Sequence, residues 1–164
     1  MKYLLIIIAI VALIVLVVAI IGYALPVKHT ASSNVYLNTP PEKVWQKLTD
    51  FKSYPGWRKN LRSVDVTSDT SWIETDQRGR QLPFVVITQE PTTKMVTMIN
   101  SKELPFGGTW TFTLRNETDK TLVTITEDGE VYNPVFRFVS RFIIGYSASL
   151  NQYTQDLEQA FNKK

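Results

Sequence analysis

Carboxylates are the side chains in this sequence best suited to acid–base chemistry, and Glu127 is the strongest candidate among them. Over residues 121–131 the alternation groups Glu127 with Val123 and Ile125, so an inward apolar face would carry its carboxylate into a low dielectric. Burial of this kind raises the pKa of a carboxyl group unless a cation pairs with it. Glu127 is therefore our candidate catalytic residue.

The surroundings of Glu127 leave two interpretations open. Arg58 and Arg78 are the predicted cationic partners, and the sequence does not choose between them. In the alternative, Glu127 is a structural carboxylate that satisfies backbone donors before the turn at Asp128 and Gly129. We favour the structural role over contact with a ligand.

Glu74 and Asp76 form a second pair of carboxylates, on one face of the strand predicted over residues 71–78. If Trp72, which shares that face, points inward, both carboxylates lie near the interior. We favour the opposite orientation, with both carboxylates in solvent.

Other catalytic residue types are scarce. Cysteine is absent, and His29 is the only histidine, in the short stretch after an apolar N-terminal run. This shortage argues against a nucleophilic triad and against metal sites built on imidazole or thiolate. We interpret His29 as a solvated linker residue. Because no P-loop or dinucleotide-binding glycine pattern occurs either, we predict no metal and no cofactor.

Aromatic side chains are more abundant than the core of so small a domain needs. We predict that several of them, with Met98 or Met95, line a cavity that would suit an apolar ligand of roughly a few hundred Å³. A solid core is the alternative. The predicted ligand-binding residues are Trp57, Trp72, Phe84, Met98, Trp110, Phe112, Phe136, Phe142 and Tyr146.

An α+β order of elements positions these residues. Residues 28–38 are predicted to form an extended approach and then a strand. A helix over residues 39–50 follows, with Thr39 as its N-cap and Glu42 completing a capping box. Its spacing directs three apolar side chains to a core, with Trp45 beside them: Val44, Leu48 and Phe51.

Six strands separated by short polar turns come next, which favours an antiparallel meander. The clearest alternation puts Trp110, Phe112 and Leu114 on a covered face and threonines on the other. The predicted strands cover residues 61–68, 71–78, 81–90, 94–101, 108–117 and 121–131.

A long helix over residues 134–162, opened by Asn133, completes the domain. Apolar residues at steps of three and four indicate that this helix lies on the sheet. Its first half is apolar on more than one side and must be covered by more than the sheet alone. Gly145, where the two halves meet, is a predicted bend.

The N-terminal run predicts a transmembrane helix over residues 3–25. Eighteen successive residues, 4–21, are Leu, Ile, Val or Ala, and no charge occurs between Lys2 and Lys28. A cleavable signal peptide is the alternative, but the apolar region of a signal peptide spans only about 7–15 residues and is shorter than this run. We predict an anchor over residues 1–27 and one domain over residues 28–164, joined by a linker of about ten residues.

Charge indicates partners and topology. Beyond the anchor the chain carries 17 basic and 15 acidic side chains, so nucleic acid is a poor candidate partner. The local excess of basic residues is interpreted as a solvated loop face, with anionic lipid contact as the alternative: Lys52, Arg58, Lys59 and Arg62. The charges flanking the anchor favour a domain outside the cytoplasm.

Three stretches carry a resemblance to a known family: Tyr54-Pro-Gly-Trp-Arg58, Pro105-Phe-Gly-Gly-Thr-Trp110 and Thr124-Ile-Thr-Glu-Asp-Gly-Glu-Val-Tyr-Asn-Pro134. Over about residues 34–162 the chain resembles the START-like or SRPBCC superfamily, in its polyketide cyclase/dehydrase branch. The resemblance implies a helix-grip fold, with a curved antiparallel sheet around a long C-terminal helix. It also implies an elongated apolar cavity between them, but it supplies no common set of catalytic residues.

Three functional hypotheses follow. The first is a membrane-tethered module that takes a hydrophobic molecule or a lipid from the adjacent bilayer, because the tether gives lipid a high effective concentration. The second is a cyclase or dehydratase with Glu127 or a neighbouring carboxylate as general base. The third is a scaffold that docks another membrane protein through the long helix or the basic loop. The sequence identifies no protein partner.

Overall fold

The structure, a computed structural model, describes residues 1–162. A long N-terminal helix precedes an α+β domain of seven strands and several helices. The elements in chain order are α1 (Lys2–Ala24), β1 (Lys28–Leu37), α2 (Pro41–Thr49), a 3-10 helix (Phe51–Gly56), β2 (Leu61–Ser68), β3 (Ser71–Asp76), β4 (Gln81–Glu90), β5 (Lys94–Ile99), β6 (Phe106–Glu117), β7 (Lys120–Val131), α3 (Pro134–Val139), a π-helical turn (Ser140–Ile144) and α4 (Ala148–Asn162).

The strands form one antiparallel sheet in the order β1-β7-β6-β5-β4-β3-β2. Strands β2 to β7 are a meander, as predicted, and β1 closes it by pairing with β7. The helices α2 and α4 supply the rest of the core. The predicted α+β class, with a sheet and a C-terminal helix, is confirmed.

The core lies on the concave face of the sheet. Alternate residues of β6 and β7 point there, so that Phe112 pairs with Ile125 and Leu114 with Val123. From the other side, α4 presents Leu150 and the 3-10 helix presents Phe51. The remaining core residues of the helices are Val44, Trp45, Leu48, Tyr54, Tyr153 and Leu157.

The helix α2 begins one residue later than predicted, and the prediction of Thr39 as its N-cap is wrong. Pro40 is the N-cap, and its carbonyl accepts from the backbone N–H groups of Lys43 and Val44. Pro41 at the first helical position has no N–H to satisfy, so the helix begins without a side-chain cap.

The domain follows α1 closely, and the prediction of a ten-residue linker is wrong. The strand β1 begins at Lys28, and the backbone N–H of Val131 donates to the carbonyl of Val27 at 2.9 Å. The reason is that β7 extends to Val131 and therefore offers a pairing partner to the very start of β1.

The C-terminal segment is broken into parts, which corrects the prediction of one continuous helix on the sheet. The side chain of Asn133 accepts from the N–H groups of Val135 and Phe136, as an N-cap should. The predicted bend is a full break, since Gly145 adopts φ 82°. As a result α4 lies on the sheet, whereas α3 packs against α1.

Candidate functional site on the concave face

A buried ion pair lies among the aromatic residues of the core. Arg58 follows the 3-10 helix in the chain, and its guanidinium group contacts the carboxylate of Glu74 on β3. Trp72, two residues earlier on the same strand, donates its indole N–H to that carboxylate at 3.1 Å. The solvent-facing orientation that we favoured for Glu74 is therefore wrong, as is the solvated-loop interpretation of Arg58, because each group supplies the counter-charge that the other needs.

Asp76 does not join this pair. Its carboxylate accepts from the backbone N–H groups of Arg78 and Arg80, both at 2.8 Å, and pairs with the Arg80 side chain at 2.7 Å. These hydrogen bonds lower the pKa of Asp76, the backbone N–H of Arg80 contributing most. Asp76 is thus a structural residue of the β3–β4 turn.

An aromatic cage encloses the ion pair. The Arg58 guanidinium carbon lies 4.8 Å from the ring centre of Tyr153 and 5.2 Å from that of Tyr54. Trp72 stacks between Phe51 at 3.8 Å and Phe84 at 5.4 Å. Burial raises the pKa of both tyrosines well above 10, so their hydroxyl groups stay protonated.

Two polar atoms of this cage are left over. The indole nitrogen Nε1 of Trp57 and the hydroxyl oxygen of Tyr153 are buried and have no hydrogen-bond partner among the described residues. Such groups are rare in folded proteins, because each one loses its hydrogen bond to water. The cage therefore has a donor available for a polar atom of a ligand.

A second polar cluster surrounds Glu127. The Glu127 carboxylate accepts from the Ser149 hydroxyl at 3.2 Å, and its Oε1 lies 3.8 Å from Nε2 of His29. The predicted partnership with Arg58 or Arg78 is therefore wrong: Arg58 pairs with Glu74 instead. Sequence reasoning did place Glu127 on the inward face, where it pairs in register with Trp110.

The interpretation of His29 as a solvated linker residue is also wrong. His29 lies on β1 opposite Gly129, and its ring stacks on Tyr146 at 3.9 Å. Only 10% of its side chain is exposed. A Cβ atom at position 129 would overlap this ring, so glycine is required there for the close approach.

Burial shifts both titratable groups of the cluster toward their neutral forms. It raises the pKa of Glu127 above 4.5, although the Ser149 and Trp110 donors oppose the shift. It lowers the pKa of His29 below 6.5, and the nearby Asp128 opposes that shift. Such a pair can exchange a proton with a bound molecule.

The cluster lacks the geometry of a nucleophilic triad. The Ser149 hydroxyl donates to Glu127 and not to His29, so the imidazole is not placed to remove its proton. The arrangement suits a general acid or base, or a polar contact to a ligand. Within residues 1–162, no group of three or more His, Asp or Glu side chains is arranged to hold a metal ion.

The predicted ligand-binding residues divide into three sets. Trp57, Trp72 and Phe112 are buried in the core, whereas Phe84 and Trp110 are half-buried on the concave face. Met98 pairs with Thr109 and points to the convex face, so Met95, which pairs with Phe112, is the inward methionine. Phe136, Phe142 and Tyr146 lie beyond the sheet: the first two are exposed and the third contacts His29.

The end of the concave face next to α1 is only partly covered. Half-buried apolar side chains line it: Phe84, Ile99, Phe106 and Trp110. Phe106 pairs with Val131, next to the end of α1, and Trp110 pairs with Glu127. The cause is the break at Gly145, because the chain before it turns toward α1 and leaves this part of the sheet without a helix.

Two cavities lie outside this face. One of about 360 Å³ adjoins the convex face near the anchor, with Met98, Thr109 and Tyr132 among its lining residues. The other, of about 190 Å³, lies where the 3-10 helix meets α4 and reaches Trp57 and Arg58, with Lys47, Lys59 and Asp156 at its rim. The second cavity gives the aromatic cage a route to solvent.

Comparison with known proteins places the domain in a family. A family model described as polyketide cyclase/dehydrase and lipid transport matches residues 28–158. Among curated proteins, none matches the chain in sequence.

Solved structures show the same fold. A START superfamily protein from Mycobacterium smegmatis is 17% identical, with a TM-score of 0.67, and the match covers 81% of this chain and 97% of that one. A conserved protein from Geobacillus kaustophilus is 16% identical (TM-score 0.68; 81% and 95% covered). Norcoclaurine synthase from Thalictrum, in complex with a transition-state analogue, is 10% identical (TM-score 0.65; 82% and 94% covered). The chain therefore belongs to the polyketide cyclase/dehydrase and lipid transport family.

Proposed function

We propose that this chain is a membrane-anchored domain that binds a hydrophobic or lipid-like molecule on the concave face of its sheet. The anchor would be α1, a helix of 23 residues with a mean hydropathy of 3.8 whose apolar residues are not buried by the domain. At 1.5 Å per residue such a helix spans about 34 Å, enough for a hydrocarbon core of about 30 Å.

The observation that carries the ligand proposal is the partly covered end of the concave face next to α1. Phe84, Phe106 and Trp110 offer apolar surface there, beside a helix suited to a bilayer. A lipid leaving that bilayer would meet this surface first. Binding sites for small molecules are mostly apolar with a few placed polar groups. The Glu127 cluster on one side and Trp57 with Arg58 on the other would supply those groups.

The experiment is photo-crosslinking in a membrane. The full chain would be reconstituted in phosphatidylcholine vesicles that contain a lipid with a diazirine in its acyl chain, and labelled peptides would be mapped by mass spectrometry. We expect labelling of β4 and β6 at Phe84 and Trp110. Trp110→Ala should reduce it severalfold, whereas Thr113→Ala, on the exposed face of the same strand, should not.

Labelling confined to α1 would contradict a lipid site on the domain and leave the anchor intact. Native mass spectrometry of the detergent-purified protein gives an independent measurement, since a bound lipid or other apolar molecule adds its mass to that of the chain. We propose that the domain faces the non-cytoplasmic side, which cysteine labelling of intact cells at an exposed position such as Thr118 would test.

Acid–base catalysis is a second candidate function, favoured by the raised pKa of Glu127 and its position 3.8 Å from His29. In a cyclase or dehydratase, Glu127 would remove a proton from a carbon next to a carbonyl group. Glu127→Gln should then abolish turnover of a poly-β-carbonyl substrate analogue while folding and binding persist. Equal turnover by Glu127→Gln and the parent chain would exclude this role.

A further inference from the structure

The segment from α3 to the π-helical turn, residues 134–144, exposes an unusual amount of apolar surface. Its four largest exposed apolar side chains are Phe136 at 47%, Phe142 at 59%, Ile143 at 70% and Ile144 at 62%. A contiguous apolar patch of this kind on a folded domain marks a contact with a membrane or another macromolecule.

The α3 part of this segment is packed against the anchor helix. Most of α1 is exposed. Near its C-terminal end one stripe is covered, formed by Val18, Ala19 and Gly22. Gly22 lies so close to the carbonyl group of Pro134 that a Cβ atom would overlap the carbonyl oxygen. Gly22 follows Ala19 by three residues and Val18 by four, so the three residues share one face of the helix. This is the face that α3 covers.

This contact fixes the depth of the segment relative to α1. Val18 and Ala19 belong to the uninterrupted apolar run that ends at Ile21. At 1.5 Å per residue, Val18 lies about 10 Å along the axis from Leu25. If α1 spans a bilayer with this run in the hydrocarbon, whatever covers Val18 must enter the same layer.

The polar groups of the segment are arranged consistently with that depth. Buried Arg137 donates to the carbonyl of Leu25, at the C-terminal end of α1, at 2.9 Å and to that of Tyr132 at 3.2 Å. The first of these bonds satisfies a carbonyl group that the C-terminal end of α1 leaves unpaired. Residues 134–144 contain two arginines and no acidic residue, which suits anionic head groups.

We propose that residues 134–144 form a second membrane-contacting element, which inserts Phe136, Phe142, Ile143 and Ile144 into the leaflet beside α1. This inference rests on the proposed transmembrane role of α1. The occupant is the bilayer, because α3 packs directly against α1, whose other faces are apolar and exposed. The element joins anchor and domain rigidly and holds the open end of the concave face toward the membrane.

Depth-dependent fluorescence quenching tests the proposal in the full chain. Because the chain contains no cysteine, single cysteines can carry an environment-sensitive fluorophore at Ile143, at Ile144, at Leu13 within α1 and at Thr118 in the β6–β7 turn. The protein would be reconstituted in vesicles of phosphatidylcholine and phosphatidylglycerol, with or without bromine on the acyl chains. We expect strong quenching at positions 13, 143 and 144 and none at position 118.

The outcomes separate the two proposals. Quenching at position 13 without quenching at positions 143 and 144 would overturn the second element and leave the anchor in place. Absence of quenching at position 13 would overturn the anchor itself. Shielding of positions 143 and 144 from aqueous iodide without quenching by brominated lipid would show that protein, such as a second copy of the chain, covers the patch, and this too would overturn the proposal.

Discussion

Gly22 of α1 lies against the carbonyl group of Pro134, the first residue of α3, with no room for a side chain between them. Replacing Gly22 by alanine should therefore force α1 and α3 apart, at a cost of about 1–3 kcal/mol for an overpacked contact. We expect faster proteolysis of the detergent-solubilised chain at residues 25–27 and at the turn around Gly145.

The matched control for this substitution is Gly56→Ala. No heavy atom lies within 4 Å of a Cβ atom built at Gly56, so this change should leave proteolysis unaltered. Equal cleavage rates for the Gly22→Ala and Gly56→Ala chains would show that the anchor does not pack on α3.

The buried Arg58–Glu74 pair should behave as a unit. Removing one partner, in Arg58→Met or Glu74→Gln, leaves the other buried without its counter-charge and should lower the free energy of unfolding by about 3–5 kcal/mol. Replacing both, with methionine and leucine, should recover most of that loss. Urea unfolding of the four chains gives the coupling energy, with Arg62→Met as the exposed-arginine control.

If both single variants were as stable as the Arg62→Met chain, the pair would be accessible to solvent. The cage would then be a polar cavity and not part of the core. The same conclusion would follow if an anionic detergent stabilised the parent chain against urea unfolding more than it stabilised the Arg58→Met chain.

The Glu127–His29 cluster predicts two opposing pH trends in stability. The folded state lowers the pKa of His29 below 6.5. The contribution of His29 to stability is therefore fully present above pH 6.5 and is lost as the pH falls through the folded pKa. The folded state raises the pKa of Glu127 above 4.5, so that contribution is present below pH 4.5 and is lost as the pH rises through the folded pKa. In the parent chain the trends partly cancel.

Single substitutions separate the two trends. In Glu127→Gln the histidine contribution remains, so the urea midpoint should rise with pH through the interval below 6.5. In His29→Asn the carboxyl contribution remains, so the midpoint should fall as the pH rises above 4.5. Slopes of the same sign in both variants would contradict the burial of one of the two groups.

Local patterns in the sequence were enough to predict the strands and to predict which of their residues face the core. The alternation of Trp110, Phe112 and Leu114 fixed the face of β6 correctly, and Val123, Ile125 and Glu127 did the same for β7. Apolar residues on more than one side of the predicted C-terminal helix were also enough to predict that its first half must be covered by more than the sheet alone. The predicted Met98 lies three residues from the inward Met95, and an odd spacing in a strand means the opposite face.

The errors concern partners that are distant in sequence. His29 sits in a polar stretch without alternation, and its burial is decided by Gly129 and Tyr146, which fold against it. Glu74 faces inward because Arg58 meets it there. The contact between α1 and α3 joins segments that are distant in sequence, and neither segment carries a local sequence pattern that predicts the contact.

Gly145 decides where the C-terminal segment leaves the sheet. Its φ of 82° is a conformation that alanine adopts only with strain, so Gly145→Ala should favour a continuous helix and draw residues 134–144 away from α1. A fluorophore at position 143 should then lose much of its quenching by brominated lipid. Gly79→Ala is the matched control, because Gly79 has the same φ of 82° and equally open surroundings in the β3–β4 turn. It should cost similar stability and leave the quenching unchanged. If both variants retained full quenching, the contact with α1, and not the glycine, would determine the position of the segment.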